Sequence, residues 1–315
     1  MNPQFKQNNT VRPCTRGPGH PVLRALLVPV LLAVMLAAPV SVLAEGTFEE
    51  THPLPAGGSL VIENEFGEIV IEAWDREEVR VSGYLSDDVK ELEVKESGNG
   101  LRIRVDYYDR RSIDGAELQL VVPATASVEA ASVSGDIEAA GLSGKSLELR
   151  TVSGDIDAAA NVERVSLNSV SGDIEFAGEA SRVSAETVSG EIELVGVRGE
   201  LDLSTVSGDV TVDGGVISRG EVEAVSGDAE LELELEDGGR INVSSMSGDI
   251  DLYLPNRQEA EFYIQTFSGD IDSAFGRARD TSKHGPGQRL EHQEGNNGAT
   301  INLNSFSGDV RLRKR

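Results

Sequence analysis

One short motif, Ser-Gly-Asp, returns at near-constant spacing along most of the chain, and no other feature constrains the fold as strongly. Its glycines are Gly135, Gly154, Gly172, Gly190, Gly208, Gly227, Gly248, Gly269 and Gly308, spaced by 19, 18, 18, 18, 19, 21, 21 and 39 residues. A fixed period of this size marks a repeat architecture, in which one unit is too small to close a core and stacks on copies of itself. The last spacing is about two periods, so one copy there is expected to have lost its signature or been replaced.

Aligned on the glycine, each copy alternates apolar and polar residues on both sides. Leu201, Leu203 and Thr205 fall on one face, and Asp202 and Ser204 on the other. The phase then slips, placing Val206, Gly208, Val210 and Val212 together and Ser207, Asp209 and Thr211 opposite. Alternation with period two means half-buried strands, and a one-residue slip means a bend between them. Helical spacing is absent. The expected fold is all-β: a single-stranded parallel β-solenoid with about 18–21 residues per turn and β-rich caps. Nine turns at about 4.8 Å give a rod roughly 40 Å long, with a thin aliphatic core. That fits a chain with only 4% aromatic residues. The glycine falls in the inward phase, so either a narrow interior or a positive φ is expected to exclude a side chain there. Both causes predict that Gly208→Val is badly tolerated.

The flanks fit the same scheme. In residues 59–74, Leu60, Ile62, Gly67, Ile69 and Ile71 repeat the offsets, with Phe66 in place of the serine, so a degenerate early turn is expected. Residues 90–108 alternate around Gly-Asn-Gly and read as a hairpin. Residues 45–125, which hold Trp74, Tyr107 and Tyr108, are expected to form the N-terminal cap and early turns, and 126–275 the solenoid proper. Residues 276–315 are expected to give a polar loop, a C-terminal hairpin and the last turn.

Residues 1–44 read as a signal peptide. A basic stretch ends at Arg24, an uncharged apolar run follows, and Val42 and Ala44 suit cleavage after Ala44. An uncleaved membrane anchor is the alternative. The leader holds the sole cysteine, Cys14, so the exported chain has no disulfide or thiolate chemistry. The formal net charge is −26, and the leader carries four cations and no acids, which leaves −30 after cleavage. Such a balance excludes nucleic acid as a partner, and no membrane insertion is expected once the leader is gone. The compartment is expected to be periplasmic or extracellular, with cell-surface association one form of it.

The motif's acids would stack in a file, including Asp155, Asp173, Asp209, Asp228, Asp249 and Asp270. Like charges about 4.8 Å apart repel by roughly 0.9 kcal/mol in water, so the repetition requires an offset. Three are open: bonds from Asp and Ser to nearby amides, a file of calcium ions on hard carboxylate oxygens, or a basic or sugar partner. No other cofactor is expected. The repeated serines cannot all be activated nucleophiles, and beyond the leader only His52, His284 and His292 could serve as base. No catalytic residue is therefore assigned. Arg277, Arg279, Lys283 and Arg289 form a basic island suited to an acidic neighbour or an anionic envelope polymer.

The segments "TVSGDIDA", "SVSGDIEF" and the closing "GPGQRLEHQEGNNGATINLNSFSGDVRLRKR" resemble a bacterial β-strand-repeat family of unknown function, described as candidate adhesins and similar to autotransporter-adhesin heads. The resemblance covers most of residues 59–315. It implies a β-helix-like fold in the cell envelope and supplies no catalytic residues. The expected role is a non-enzymatic interaction or structural module, with an envelope polymer or envelope protein as partner. The alternatives are a polysaccharide-active β-helix enzyme and an envelope-stress accessory protein.

Overall fold

A computed structural model describes residues 46–108, 114–280, 287–296 and 298–315. The described residues belong to one compact unit. The expected leader with Cys14, and also Lys283 and His284, lie outside the described residues.

Among the described residues every regular element is a strand, and the 24 strands join in one sheet. The fold is the expected β-solenoid. Each rung has two arms that meet at the Ser-Gly-Asp corner, and we name a rung by its glycine. The first arms stack in parallel register, with Val183 opposite Leu201 and Ala185 opposite Leu203. The second arms do the same, with Ile156 opposite Ile174 and Ile174 opposite Ile192. These inward side chains are all buried. Ala158, which faces Ala139 on one side, pairs with Phe176 on the other, and the large ring helps to keep the column filled. Each methylene kept from water in such a column contributes about 0.8 kcal/mol.

The corner differs from the simple phase slip. Thr205 and Val210 are buried, while Val206, Ser207 and Asp209 are exposed and Gly208 is half-exposed. The parity change is spread over the four residues 206–209, all held off the core. Val210 and Val212 point inward as expected; Val206 and Gly208 do not. The cause is the turn itself, because a chain that rounds a convex corner directs its side chains away from the axis.

Both ends depart from sequence order. Ser59–Phe66 lies between Gly100–Tyr107 and Ser127–Ser134, parallel to each. Ile69–Trp74 likewise lies between Ala116–Pro123 and Ile137–Leu142. Phe66 sits opposite Ser134, so the early turn carries the expected correspondence in an unexpected slot. At the far end Ala299–Ser307 is inserted between residues 240–247 and Ala260–Ser268. Val310–Lys314 is inserted between Ile250–Leu254 and Ile271–Ser273. The glycine file therefore runs Gly248, Gly308, Gly269.

This order corrects two expectations. The 39-residue spacing hides no lost rung, since the intervening chain runs out to the edge and the Gly308 rung returns one slot inward. Nor is the C-terminal hairpin the expected one: the strands that flank the Gly/Asn turn do not pair with each other, and the antiparallel partners of Gln288–Glu294 are Ala260–Ser268 and, over two residues, Arg279–Asp280. Gln288–Glu294 pairs antiparallel with one side of Ala260–Ser268, and Ala299–Ser307 occupies the other.

The N-terminal end is closed by antiparallel strands. Val89–Ser97 and Gly100–Tyr107 form the expected hairpin, and Gly46–Pro53 pairs with Glu78–Leu85. Tyr107 fastens the inserted rung. Its hydroxyl lies 2.6 Å from Asn64 Oδ1 and 2.7 Å from the Phe66 carbonyl oxygen. Its ring meets Phe66 edge-on at 5.2 Å. Burial pushes the Tyr107 phenol up to about 12. Trp74 caps elsewhere, donating from Nε1 to the Glu78 carbonyl at 2.8 Å beneath Arg76 and Arg80. Tyr108 is exposed.

Candidate functional site

The corner shows why glycine recurs. A Cβ on Gly172 or Gly208 would lie 1.9 Å from the carbonyl oxygen of the glycine one rung before. The same approach, at 2.0 to 2.3 Å, holds for Gly135, Gly154, Gly190, Gly227, Gly248, Gly308 and Gly269. Gly154, Gly172 and Gly190 make it without a left-handed φ. The obstacle common to all nine is thus not the interior but the backbone of the adjacent rung, and Gly208, Gly227, Gly248 and Gly269 add the expected positive φ, +153 to +157°. That backbone is fixed by pairing, as in Gly154 N–H to the Ser171 carbonyl at 3.2 Å. Inward hydroxyls add to it: Thr151, Ser169 and Thr187 donate at 3.3 Å to the carbonyls of Gly135, Gly154 and Gly172. The hydroxyls of Thr205, Ser245 and Ser305 are buried with no partner among the described residues.

The acids form a relay. Asp136 Oδ1 accepts the Asp155 N–H at 2.9 Å, Asp155 Oδ1 that of Asp173 at 2.8 Å, and Asp173 Oδ1 that of Glu191 at 2.8 Å. It resumes from Asp209 to Asp228 and Asp249, then to Asp309 and Asp270. A hydrogen bond to a charged acceptor is worth about 1.5–3 kcal/mol, which outweighs the roughly 0.9 kcal/mol of repulsion between neighbouring carboxylates. Aspartate recurs because its short side chain reaches the next rung's amide. Glu191 is one methylene longer and accepts no such bond among the described residues. Glu191→Asp is therefore expected to complete the relay, adding about 1 kcal/mol and raising the melting temperature by about 2–4 °C. A thermal scan showing no rise would refute the relay as a stabilising device.

The structure thus brings together Asp155, Asp173, Asp209, Asp228, Asp249 and Asp270, each with Oδ1 beside a backbone amide or its own amide on the previous carboxylate. Among the described residues no group of three or more His, Cys, Asp or Glu is placed to hold a metal ion. A second outward file lies beside the first, two residues on. In register it runs Glu138, Asp157, Glu175, Glu193, Thr211, Glu230, Asp251, Arg311, Asp272. Together they form a wall of carboxylates. At its C-terminal end Arg311 binds Asp249 at 2.9 Å and Asp251 and Asp309 at 3.2 Å, and Arg313 binds Asp272 at 2.8 Å. At the N-terminal end the Glu68 carboxyl, though exposed, is raised from its ordinary value, first by partial desolvation and then by Glu138, Glu117 and Asp136.

Sequence reasoning missed the other half of this surface. The residue two before each glycine points outward: in spatial order Val133, Val152, Val170, Val188, Val206, Val225, Met246, Phe306 and Phe267. Each is 41 to 60% exposed, and Phe306 and Phe267 stack at 4.9 Å. The overlooked signal was the run of four residues between one core position and the next, Thr205 to Val210. A strand continuing through the motif cannot place both of these inside.

Of the basic island, Arg277, Arg279 and Arg289 line a cleft of about 700 Å³ with Asp280, Glu291 and His292. Arg279 and Arg289 are direct cross-strand partners. Arg289 also reaches Gln265 at 3.3 Å and Glu291 at 3.5 Å. The described histidines sit at opposite ends and pair with carboxylates: His52 with Glu50 at 3.2 Å, His292 with Glu294 at 3.1 Å.

The model of the Toastrack DUF4097 family matches residues 58–313. No curated protein matches the chain. Among solved structures, it is similar to a candidate cell adhesion protein from Clostridium sporogenes, at 9% identity over 86% of this chain and 100% of that one, with a TM-score of 0.23. A candidate adhesin from Bacteroides fragilis is 11% identical over 85% and 98% of the two chains, with a TM-score of 0.44. One from Parabacteroides distasonis is 11% identical over 85% and 97%, with a TM-score of 0.41. The family match spans most of the chain and its whole repeat, so the chain belongs to the Toastrack DUF4097 family.

Proposed function

We propose that this protein is an exported, non-enzymatic interaction module of the bacterial cell envelope. The observation that supports it is repetition. The same outward groups return on rung after rung along one rigid corner, which suits multivalent contact with an extended polymer or an envelope protein. A reaction centre needs unlike groups that converge, whereas here like groups are spaced evenly. The structural role of Ser-Gly-Asp also accounts for the motif without chemistry.

The test is a binding survey with the exported chain, residues 45–315, against cell-wall polymers, outer-membrane components and envelope proteins. Retention on one of these classes is expected. No retention on any would overturn the reading. The Arg277–Arg289 cleft, where acids and bases converge, supports the polysaccharide-active alternative. Turnover of an acidic glycan, abolished by Arg277→Ala or Arg289→Ala, would replace the first reading with that one.

A further inference from the structure

The apolar ridge and the carboxylate wall run side by side along the same corner. The ridge occupies nine consecutive rungs at a spacing of about 4.8 Å. Monomeric proteins seldom leave so long an apolar line in water. One bank of it, past the serine file, is the wall. The other bank alternates uncharged and acidic groups, Asn168, Glu186, Ser204, Glu223 and Ser244 in register. The track is therefore apolar along its crest, with a broken line of acids on one flank and a continuous wall of them on the other. From the Gly135 rung to the Gly227 rung that flank has no cation in either acidic file; Arg311 and Arg313 compensate it only near the C-terminal end.

We propose that this track docks a cationic amphipathic α-helix lying along the solenoid axis. The inference deepens the interaction reading and rests on it. Charge complementarity selects the occupant. A second copy of this chain would bring the same wall, and an anionic lipid surface would be repelled. Pitch selects its conformation. A helix returns a side chain to one face every 5.4 Å or so, close to the rung spacing. A strand laid along the axis returns one only every 6.6 Å or so. The mismatch of roughly 0.6 Å per turn brings helix and ridge out of step after about four turns. One helix of about 15–18 residues therefore engages four or five rungs. Its apolar stripe covers the valines, and Lys or Arg on one side faces Asp157, Glu175 and Glu193.

The test uses the exported chain, residues 45–315, and a synthetic 18-residue Leu/Lys peptide with one apolar stripe, beside a scrambled peptide of equal composition and a Leu/Glu analogue. Binding is read by fluorescence anisotropy, and helix gain by circular dichroism. The amphipathic Leu/Lys peptide is expected to bind and become helical, and the other two are not. The triple variant Val170→Thr/Val188→Thr/Val206→Thr keeps strand-forming, exposed residues and is expected to bind at least about tenfold more weakly. Asp157→Asn/Glu175→Gln/Glu193→Gln is expected to weaken binding and flatten its salt dependence. On the unaltered protein, carbodiimide cross-links from the peptide are expected at Asp157, Glu175 and Glu193 and not at Glu93 or Glu96 in the cap, a readout independent of how any variant folds.

Equal binding of the scrambled peptide, an unchanged affinity in the valine variant, or cross-links confined to the cap would each overturn the proposal. So would ridge-dependent self-association of the protein in sedimentation. Retention on an envelope component that survives the valine triple sinks the track while leaving the interaction reading intact. Failure of the binding survey with helix docking intact sinks only the envelope partner.

Discussion

Gly208→Ala is expected to destabilise the protein by at least about 3 kcal/mol, although the change adds one methyl group at a half-exposed position. The methyl would lie 1.9 Å from the Gly190 carbonyl oxygen and 2.6 Å from its carbon. Neither atom can withdraw. Gly190 is itself paired through its N–H with the Ser207 carbonyl at 3.2 Å, and the Gly172 rung lies directly behind it. Room can come only from parting two rungs, which breaks the ladder on both arms. The control is Gly214→Ala, between rungs, where φ is +73° and no atom lies within 4 Å of the added carbon. That change meets only the backbone strain of a positive φ, about 1–2 kcal/mol, which Gly208 at φ +157° also carries, so the difference between the two variants reports the rung contact. Urea or thermal unfolding of the two variants separates the causes. If Gly214→Ala costs as much as Gly208→Ala, backbone conformation and not rung contact explains the glycines.

What the sequence disclosed follows from the range of each interaction. The stacked rungs, the inward columns such as Leu201, Leu203, Val210 and Val212, and the N-terminal hairpin are set by local alternation and by the repeat. All of these were legible. The side of Val206 was not, because alternation gives parity, and a four-residue corner has the same parity as a one-residue slip. Spatial order at the ends was hidden for a different reason. Phe66 announces a rung, yet nothing local says that its neighbours are residues 100–107 and 127–134. The choice depends on contacts such as Tyr107 with Asn64, 43 residues apart. The aspartates were legible as amide acceptors, but the amide belongs to the next rung and not to the same turn. Only the stack supplies that partner.

Deletion of residues 299–315 is expected to abolish cooperative folding, far beyond the loss of one terminal repeat. In a solenoid laid down in sequence order, removing the last unit removes one interface and bares the next. Here the last rung lies between two others, so its removal deletes two interfaces and opens a slot. Ile301, Leu303, Val310 and Leu312 are all fully buried. At about 1.5–3 kcal/mol each they supply about 6 kcal/mol or more, comparable to the whole stability of many domains. The neighbours cannot readily close the gap. Residues 255–259 join them, and Gln258 is pinned in place, accepting the Leu235 N–H at 3.0 Å and donating to the Leu235 carbonyl at 3.2 Å. Asn256 is oriented by the Arg315 carbonyl at 2.7 Å, a contact the deletion also removes. Deleting residues 46–53 is the comparison, because that strand lies on an outer edge with no fully buried residue. It is expected to lower the melting temperature by a few degrees while unfolding stays cooperative. A C-terminal truncation that still melts in one sharp transition near the parent temperature would mean that residues 240–254 and 260–273 collapse onto each other. The inserted rung would then be a late addition to a complete stack, and the interleaved order would carry none of the stability ascribed to it.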